Sequence, residues 1–138
     1  MNMHSRLPMR ITLLLLLVLT ITAWNVVRLA TSIAWHDTLE TYSLRPGPSY
    51  IGLTGLIWTL IGLFLLWSFW RGAPWTRWVL LIAAGLYAAW VWADRLLVQV
   101  QMRANWPFDL FATGVLLVYT VAIVLDPRNQ IYFIKRGL

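Results

Sequence analysis

Four long apolar segments with very few charges set the limits on what this chain can fold into. Each is close to or above the roughly 20 residues that a helix needs to cross the hydrocarbon core of a bilayer. They show no apolar/polar alternation and are too long for barrel strands of about 10 residues. The sequence therefore predicts an all-α membrane protein whose four transmembrane helices form an antiparallel bundle. The helices are predicted at about 9–35, 50–70, 75–100 and 107–125.

Composition leaves no room for a soluble domain. Hydrophobic residues make up 60% of the 138 residues and charged residues only 12%, about half the charged fraction of an ordinary soluble domain. The whole chain, 1–138, is therefore interpreted as one integral membrane domain. The absence of cysteine excludes disulfides, thiolate metal sites and cysteine nucleophiles.

Turn-forming residues mark the connections between the predicted helices. Gly72 suits the end of the second helix, and Pro74 suits the first turn of the third. Pro107 opens the fourth helix in the same way, and Pro127 closes it. The longest connection, 36–49, is predicted to be an outer loop.

Basic residues predict the orientation of the chain, because they favour the cytoplasmic side. Of the eleven Lys and Arg, seven fall on the side that holds both termini and four on the other. An N-in, C-in topology with a cytoplasmic tail at 126–138 follows. The formal charge of +6 is interpreted as attraction to anionic lipid headgroups rather than to nucleic acid. The seven residues are Arg6, Arg10, Arg71, Arg77, Arg128, Lys135 and Arg136.

Tryptophans are concentrated near the ends of the apolar segments, as in the aromatic belts of membrane proteins. Trp35 and Trp106 fall at the predicted outer face. The inner face is predicted to carry Trp67, Trp70, Trp75 and Trp78.

The first apolar segment also has features of a secretory signal peptide. Residues 1–10 form a basic leader, and 32–34 resemble a cleavage site. The apolar run 11–27 is longer than a usual signal core, and Arg28 separates it from that site. An uncleaved first helix is predicted; cleavage would leave three spans.

Small residues recur every three or four residues and predict close helix contacts. We expect Gly85 and Ala89 of the third helix to face the second helix. A dimer interface is the alternative for these rows. The rows consist of Gly55, Thr59 and Gly62 on the second helix, and of Ala84, Ala88 and Gly85, Ala89, Ala93 on the third.

Chemically active residue types form no convincing catalytic or metal-binding set. His36 and Glu40 would lie one turn apart on a helix, but no third ligand is near, and a solvated polar helix end explains them. Histidines inside the spans, which a haem in a helical bundle would require, are absent. Asp109 is explained by its place in the first turn of a helix. No metal or other cofactor is predicted.

Two ionisable residues, Arg28 and Asp94, lie inside predicted spans and are candidates for function. Arg28 follows Arg10 by 18 residues and Asp94 follows Arg77 by 17, a similar rise of roughly 26 Å. We expect the two to form an ion pair near the outer interface. The candidate ligand site around this pair comprises Trp24, Asn25, Arg28, Tyr87, Trp90 and Asp94.

Two functions remain open from the sequence. Short loops and many packing residues favour a non-enzymatic accessory, assembly or structural subunit, with other membrane subunits or a second copy as partners. The alternative is a small transporter or channel that uses Asn25, Arg28 and Asp94 in the outer half of the bundle. Either would be a multi-pass protein, predicted to reside in a bacterial plasma membrane.

Overall fold

A computed structural model describes residues 9–42, 46–98 and 106–128, which are helical almost throughout and contain no strand. Helix α4 continues directly into a π-helical segment, Asp94–Val98. The α-helices are α1 (Met9–Ala34), α2 (His36–Thr41), α3 (Pro48–Arg71), α4 (Thr76–Ala93) and α5 (Trp106–Leu125).

Four of these helices are long and apolar enough to cross a membrane, which confirms the predicted number of spans. Large apolar side chains are exposed along all four, as expected where lipid rather than water surrounds the helices. The chain is therefore a multi-pass, all-helical membrane protein. The spans are Met9–Ala34, Pro48–Arg71, Thr76–Leu97 and Trp106–Leu125. The predicted end of the third helix, 99–100, and most of the predicted tail, 129–138, lie outside the described residues.

Gly72 ends α3 as predicted, in the left-handed conformation with φ 67°. Its amide donates to the Phe69 carbonyl at 3.2 Å, and the Ala73 amide donates to the Ser68 carbonyl at 3.3 Å. A side chain at φ > 0 is strained, so glycine is favoured here. The helix that follows begins at Thr76, so Pro74 lies just before it and not, as predicted, in its first turn.

The predicted outer loop, 36–49, is partly helical. Helix α2 occupies His36–Thr41 and follows α1 after a break at Trp35. His36 Nδ1 lies 3.7 Å from Asp37 Oδ1 and 3.8 Å from Glu40 Oε1, which is the local pairing of a polar helix end. Helix α2 agrees with the interpretation of His36–Glu40 as a polar helix end. The predicted loop 36–49 differs from the structure because 36–41 is helical and 48–49 belong to α3, while 43–45 lie outside the described residues.

Helices α1 and α3 make the closest contact of the fold. A Cβ at Gly55 would lie 3.0 Å from the Leu29 amide nitrogen and 3.1 Å from the Asn25 carbonyl oxygen. At Gly62 it would overlap the Thr22 side chain. The small-residue row of α3 therefore packs against α1 and not against α4.

The prediction that Gly85 and Ala89 face α3 is wrong. Both are exposed, and nothing lies within 4 Å of a Cβ placed on Gly85. The reason is that α1 presents small polar side chains to the row on α3, which leaves the aromatic side of α3 for α4. On α4 it is the other row, Ala84 and Ala88, that turns inward.

A dense apolar core fills one end of the fold, where α1 and α4 begin and α3 and α5 end. Outside this core, Arg10 of α1 forms an ion pair with Asp126, directly after α5, at 3.1 Å. The polar residues Arg28, Thr54 and Asp94 lie towards the opposite end of the helices. The core consists of Ile11, Leu14, Val18, Leu65, Phe69, Leu80, Ala83, Ile123 and Val124.

Candidate functional site

A cavity of about 370 Å³ lies among α1, α3, α4 and α5. That volume falls within the roughly 300–1,000 Å³ range of small-molecule sites. All four spanning helices contribute to its wall, which is predominantly apolar. The wall includes Leu14, Ile21 and Thr22 of α1, Trp58, Ile61 and Gly62 of α3, Ala84, Tyr87, Ala88 and Val91 of α4, and Thr113, Leu117 and Thr120 of α5.

Threonines in this wall do not make it polar. The hydroxyls of Thr22, Thr113 and Thr120 each donate to the carbonyl one turn earlier in their own helix, at 2.7, 2.7 and 2.8 Å. A hydroxyl whose proton is bonded to its own backbone cannot donate to a second partner, and only its oxygen remains as an acceptor. These positions therefore offer the cavity acceptors but no free donor.

Three aromatic rings meet at the end of the cavity away from the dense core. Trp58 and Tyr87 meet edge to face, with ring centroids 4.7 Å apart at 87°. Trp90 lies 5.6 Å from each of them. Such contacts add about 0.5–1.5 kcal/mol per pair beyond simple burial. Because Trp58 and Tyr87 also line the cavity, this aromatic triad separates it from the polar residues beyond.

Beyond the triad lies a polar cluster formed by Arg28, Tyr50, Thr54 and Asp94. Arg28 Nη2 donates to Thr54 Oγ1 at 3.4 Å, and its guanidinium carbon lies 5.0 Å from the Trp90 ring centroid. The Tyr50 side chain lies beside Asp94 and Trp90, within electrostatic range of Arg28. A cation over an aromatic face is attracted by the ring quadrupole, so Trp90 and Thr54 together hold Arg28 within the fold.

The π-helical segment begins at Asp94. Its first two residues, Asp94 and Arg95, contact different helices. Asp94 lies beside Tyr50 of α3, while the next residue, Arg95, forms an ion pair with Asp109 of α5. Wide helical turns of this kind are frequent at functional sites. The Arg95–Asp109 pair was not predicted, and a helix-dipole explanation of Asp109 is therefore incomplete.

The structure brings together four of the six predicted site residues: Arg28, Tyr87, Trp90 and Asp94. Tyr50 lies near both Arg28 and Asp94, which agrees with the expectation that these two residues lie at equal depth. Their direct ion pair stays a prediction.

Trp24 and Asn25 lie outside this group. Trp24 is 61% exposed, on the side of α1 that faces away from the other helices. Asn25 is fully buried against α3, where Nδ2 donates to the Ile21 carbonyl at 2.9 Å. Of the three α1 residues in the predicted site, Arg28 is the one whose guanidinium lies over Trp90 of α4.

Helix α3 supplies three site residues that sequence reasoning missed: Tyr50, Thr54 and Trp58. Their spacing of four residues places them on one face of a helix, and this polar and aromatic row was the available signal. This row was overlooked because the glycines of α3 suggested that α3 packs on α4 through its small residues.

Chemically, this arrangement is suited to binding. The described residues contain no group of three His, Cys, Asp or Glu side chains that could hold a metal ion. A cavity with apolar walls and a charged cluster at one end suits a molecule with a large apolar part.

Comparison with models of known protein families, with curated protein sequences and with solved structures gave no match.

Proposed function

We propose that this chain is a non-enzymatic accessory protein of the membrane that binds an apolar or amphiphilic molecule taken from the bilayer. The apolar part would occupy the cavity among α1, α3, α4 and α5. The observation that carries this proposal is the cavity itself, with its volume of about 370 Å³.

Water is a poor occupant for such a cavity. An ordered buried water needs two to four polar partners, whereas these wall threonines have already donated their protons to their own helices and offer only acceptor oxygens. Trp58 and Tyr87 hold most of the remaining polar atoms, at one end only. A hydrocarbon chain or a flat apolar ring would make more favourable contacts with the rest of the wall.

The membrane setting completes the proposal. We infer that the four helices form an antiparallel bundle with both termini in the cytoplasm of a bacterium, because basic residues are concentrated at that end. A cytoplasmic reporter fused after Leu138 should be active, and a reporter that works only outside the cytoplasm should be silent. The reverse result would overturn the orientation.

Filling the cavity tests the binding function. The double variant Ala84→Leu/Ala88→Leu adds bulk to the cavity wall, and Gly85→Leu/Ala89→Leu adds bulk to the exposed side of the same helix turns. Delipidated protein in detergent is titrated with a polyene fatty acid whose fluorescence rises in apolar surroundings.

We expect the cavity variant to bind the fatty acid at least tenfold more weakly than the unaltered chain, because a tenfold loss needs only about 1.4 kcal/mol. The outward-facing variant should bind normally. Equal affinity in all three proteins, or an equal loss in both variants, would show that the cavity is not the binding site.

A small transporter is the second candidate, favoured by the intramembrane cluster of Arg28 and Asp94. The cluster lies at one end of the helices, while carriers place polar groups near the middle of the bilayer, so the first candidate is preferred. Purified protein in liposomes decides between them. Solute flux that disappears in Arg28→Gln would favour transport over binding alone.

A further inference from the structure

Positive charge accumulates at the end of the fold that holds the α3–α4 turn. Of the described residues at this end, four are arginines and one is an acid, Asp126, which is already paired with Arg10. The other four acids of the sequence occur in α2 or around the outer ends of α4 and α5. An anion approaching this end therefore meets a net positive surface.

Two of these arginines, Arg71 and Arg77, flank the short α3–α4 turn. Neither is ion-paired with a carboxylate in the described part of the chain. Arg71 is exposed, whereas Arg77 is partly buried, and its Nε atom is buried without a hydrogen-bond partner among the described residues. An N–H without an acceptor is costly, and lipid tails offer no acceptor to those guanidinium N–H groups that reach the protein surface.

Aromatic rings hold both guanidinium groups next to the turn. The Arg71 guanidinium lies 5.0 Å from the Trp67 ring centroid, and that of Arg77 lies 5.3 Å from the Trp78 ring. Phe64 stacks between Trp67 and Trp75, with centroids 5.9 and 5.4 Å away. Indole rings favour the depth of the lipid headgroups, so these contacts keep the arginines at the level of the phosphates.

We propose that the α3–α4 turn binds the phosphate of an anionic phospholipid, which accepts hydrogen bonds from Arg71 and Arg77. Guanidinium groups match phosphate oxygens in a planar, two-point geometry. Basic pockets between spanning helices are established positions for anionic headgroups. This site lies at the opposite end from the aromatic triad and does not depend on the function proposed for the cavity.

Competition between two lipids tests the site. Full-length protein in detergent micelles is mixed with equal amounts of phosphatidylglycerol and phosphatidylcholine of the same chains, and the lipids retained are counted by native mass spectrometry. We expect a preference for phosphatidylglycerol on the order of twenty-fold, from the attraction of two arginines near the headgroup. No preference would overturn the proposal.

A charge-matched control separates a site from general surface charge. Arg71→Gln/Arg77→Gln should reduce the preference to a few-fold, whereas Arg10→Gln/Arg128→Gln removes the same charge at the same end and should retain most of it. Equal losses in both variants would contradict a site at the turn. Should the first variant not fold, Arg71→Lys/Arg77→Lys replaces it, and an unchanged preference there would rule out two-point recognition.

Soluble glycerol phosphate distinguishes a lipid from a free anion. Because the proposed ligand is held at headgroup depth, millimolar glycerol phosphate should displace little of the bound phosphatidylglycerol. Complete displacement would identify a site for soluble phosphate compounds and overturn the lipid assignment.

Discussion

Replacing Gly55 by alanine tests whether α1 and α3 form the tight contact of the fold. The added Cβ would lie 3.0 Å from the Leu29 amide nitrogen, 3.1 Å from the Asn25 carbonyl oxygen and 3.4 Å from the Leu29 Cα. All three are main-chain atoms, so no side-chain rotation can relieve the overlap. Gly55→Ala must therefore push the two helices apart.

Gly85→Ala provides the matched control, because Gly85 is also in the interior of a spanning helix but has open space around it. Alanine favours a helix over glycine by up to about 1 kcal/mol at exposed sites, and that gain is common to both variants. The difference between them isolates the steric cost. Overpacking by one carbon typically costs about 1–3 kcal/mol, so Gly55→Ala should be less stable than Gly85→Ala by that amount.

Reversible unfolding in mixed detergent micelles, followed by circular dichroism, measures this difference in the free energy of unfolding. A shift of about 2 kcal/mol corresponds to roughly a thirty-fold change in the ratio of folded to unfolded protein. Equal stabilities for the two alanine variants would refute the α1–α3 contact. A larger loss for Gly85→Ala would restore the expectation that the α4 row is the packed one.

Three further substitutions test individual polar contacts by the same unfolding measurement. Asp109→Asn should cost about 1–3 kcal/mol, because Arg95 is only 12% exposed in the ion pair and would lose its counter-charge; an unchanged stability would show that the pair is not formed. Arg10→Gln should change stability by less than about 1 kcal/mol, since the Arg10 side chain is 67% exposed in its pair with Asp126, and a loss above 2 kcal/mol would contradict this. Thr59→Val should be neutral or stabilising by about 1 kcal/mol, because the buried Thr59 hydroxyl has no hydrogen-bond partner in the described part of the chain; clear destabilisation would reveal a partner.

Helix number, helix type and several boundaries could be predicted because they depend on local sequence. A backbone in lipid must satisfy its own hydrogen bonds, so any long apolar segment becomes a helix. Gly72 ends α3 for a reason that is equally local, namely its left-handed conformation. The equal depth of Arg28 and Asp94 followed from helical rise alone.

Which faces meet could not be read from the sequence. The row of Gly55 and Gly62 and the row of Gly85 and Ala89 have the same kind of spacing, yet only the first is packed. Small residues permit close approach but do not choose a partner. That choice depends on what each neighbouring helix presents, and here α1 offers complementary small polar side chains.

In the candidate site, too, some residues could be identified from the sequence and others only from the tertiary structure. Sequence identified Arg28, Tyr87, Trp90 and Asp94 because charges and aromatics are costly or conspicuous inside spans. The tertiary structure added Tyr50, Thr54 and Trp58, and it turned Trp24 and Asn25 away. Composition determined that the chain lies in a membrane. The cavity, in contrast, depends on the tertiary structure, because it forms where four helices from distant parts of the sequence meet and the small side chains of α4 leave space between α3 and α5.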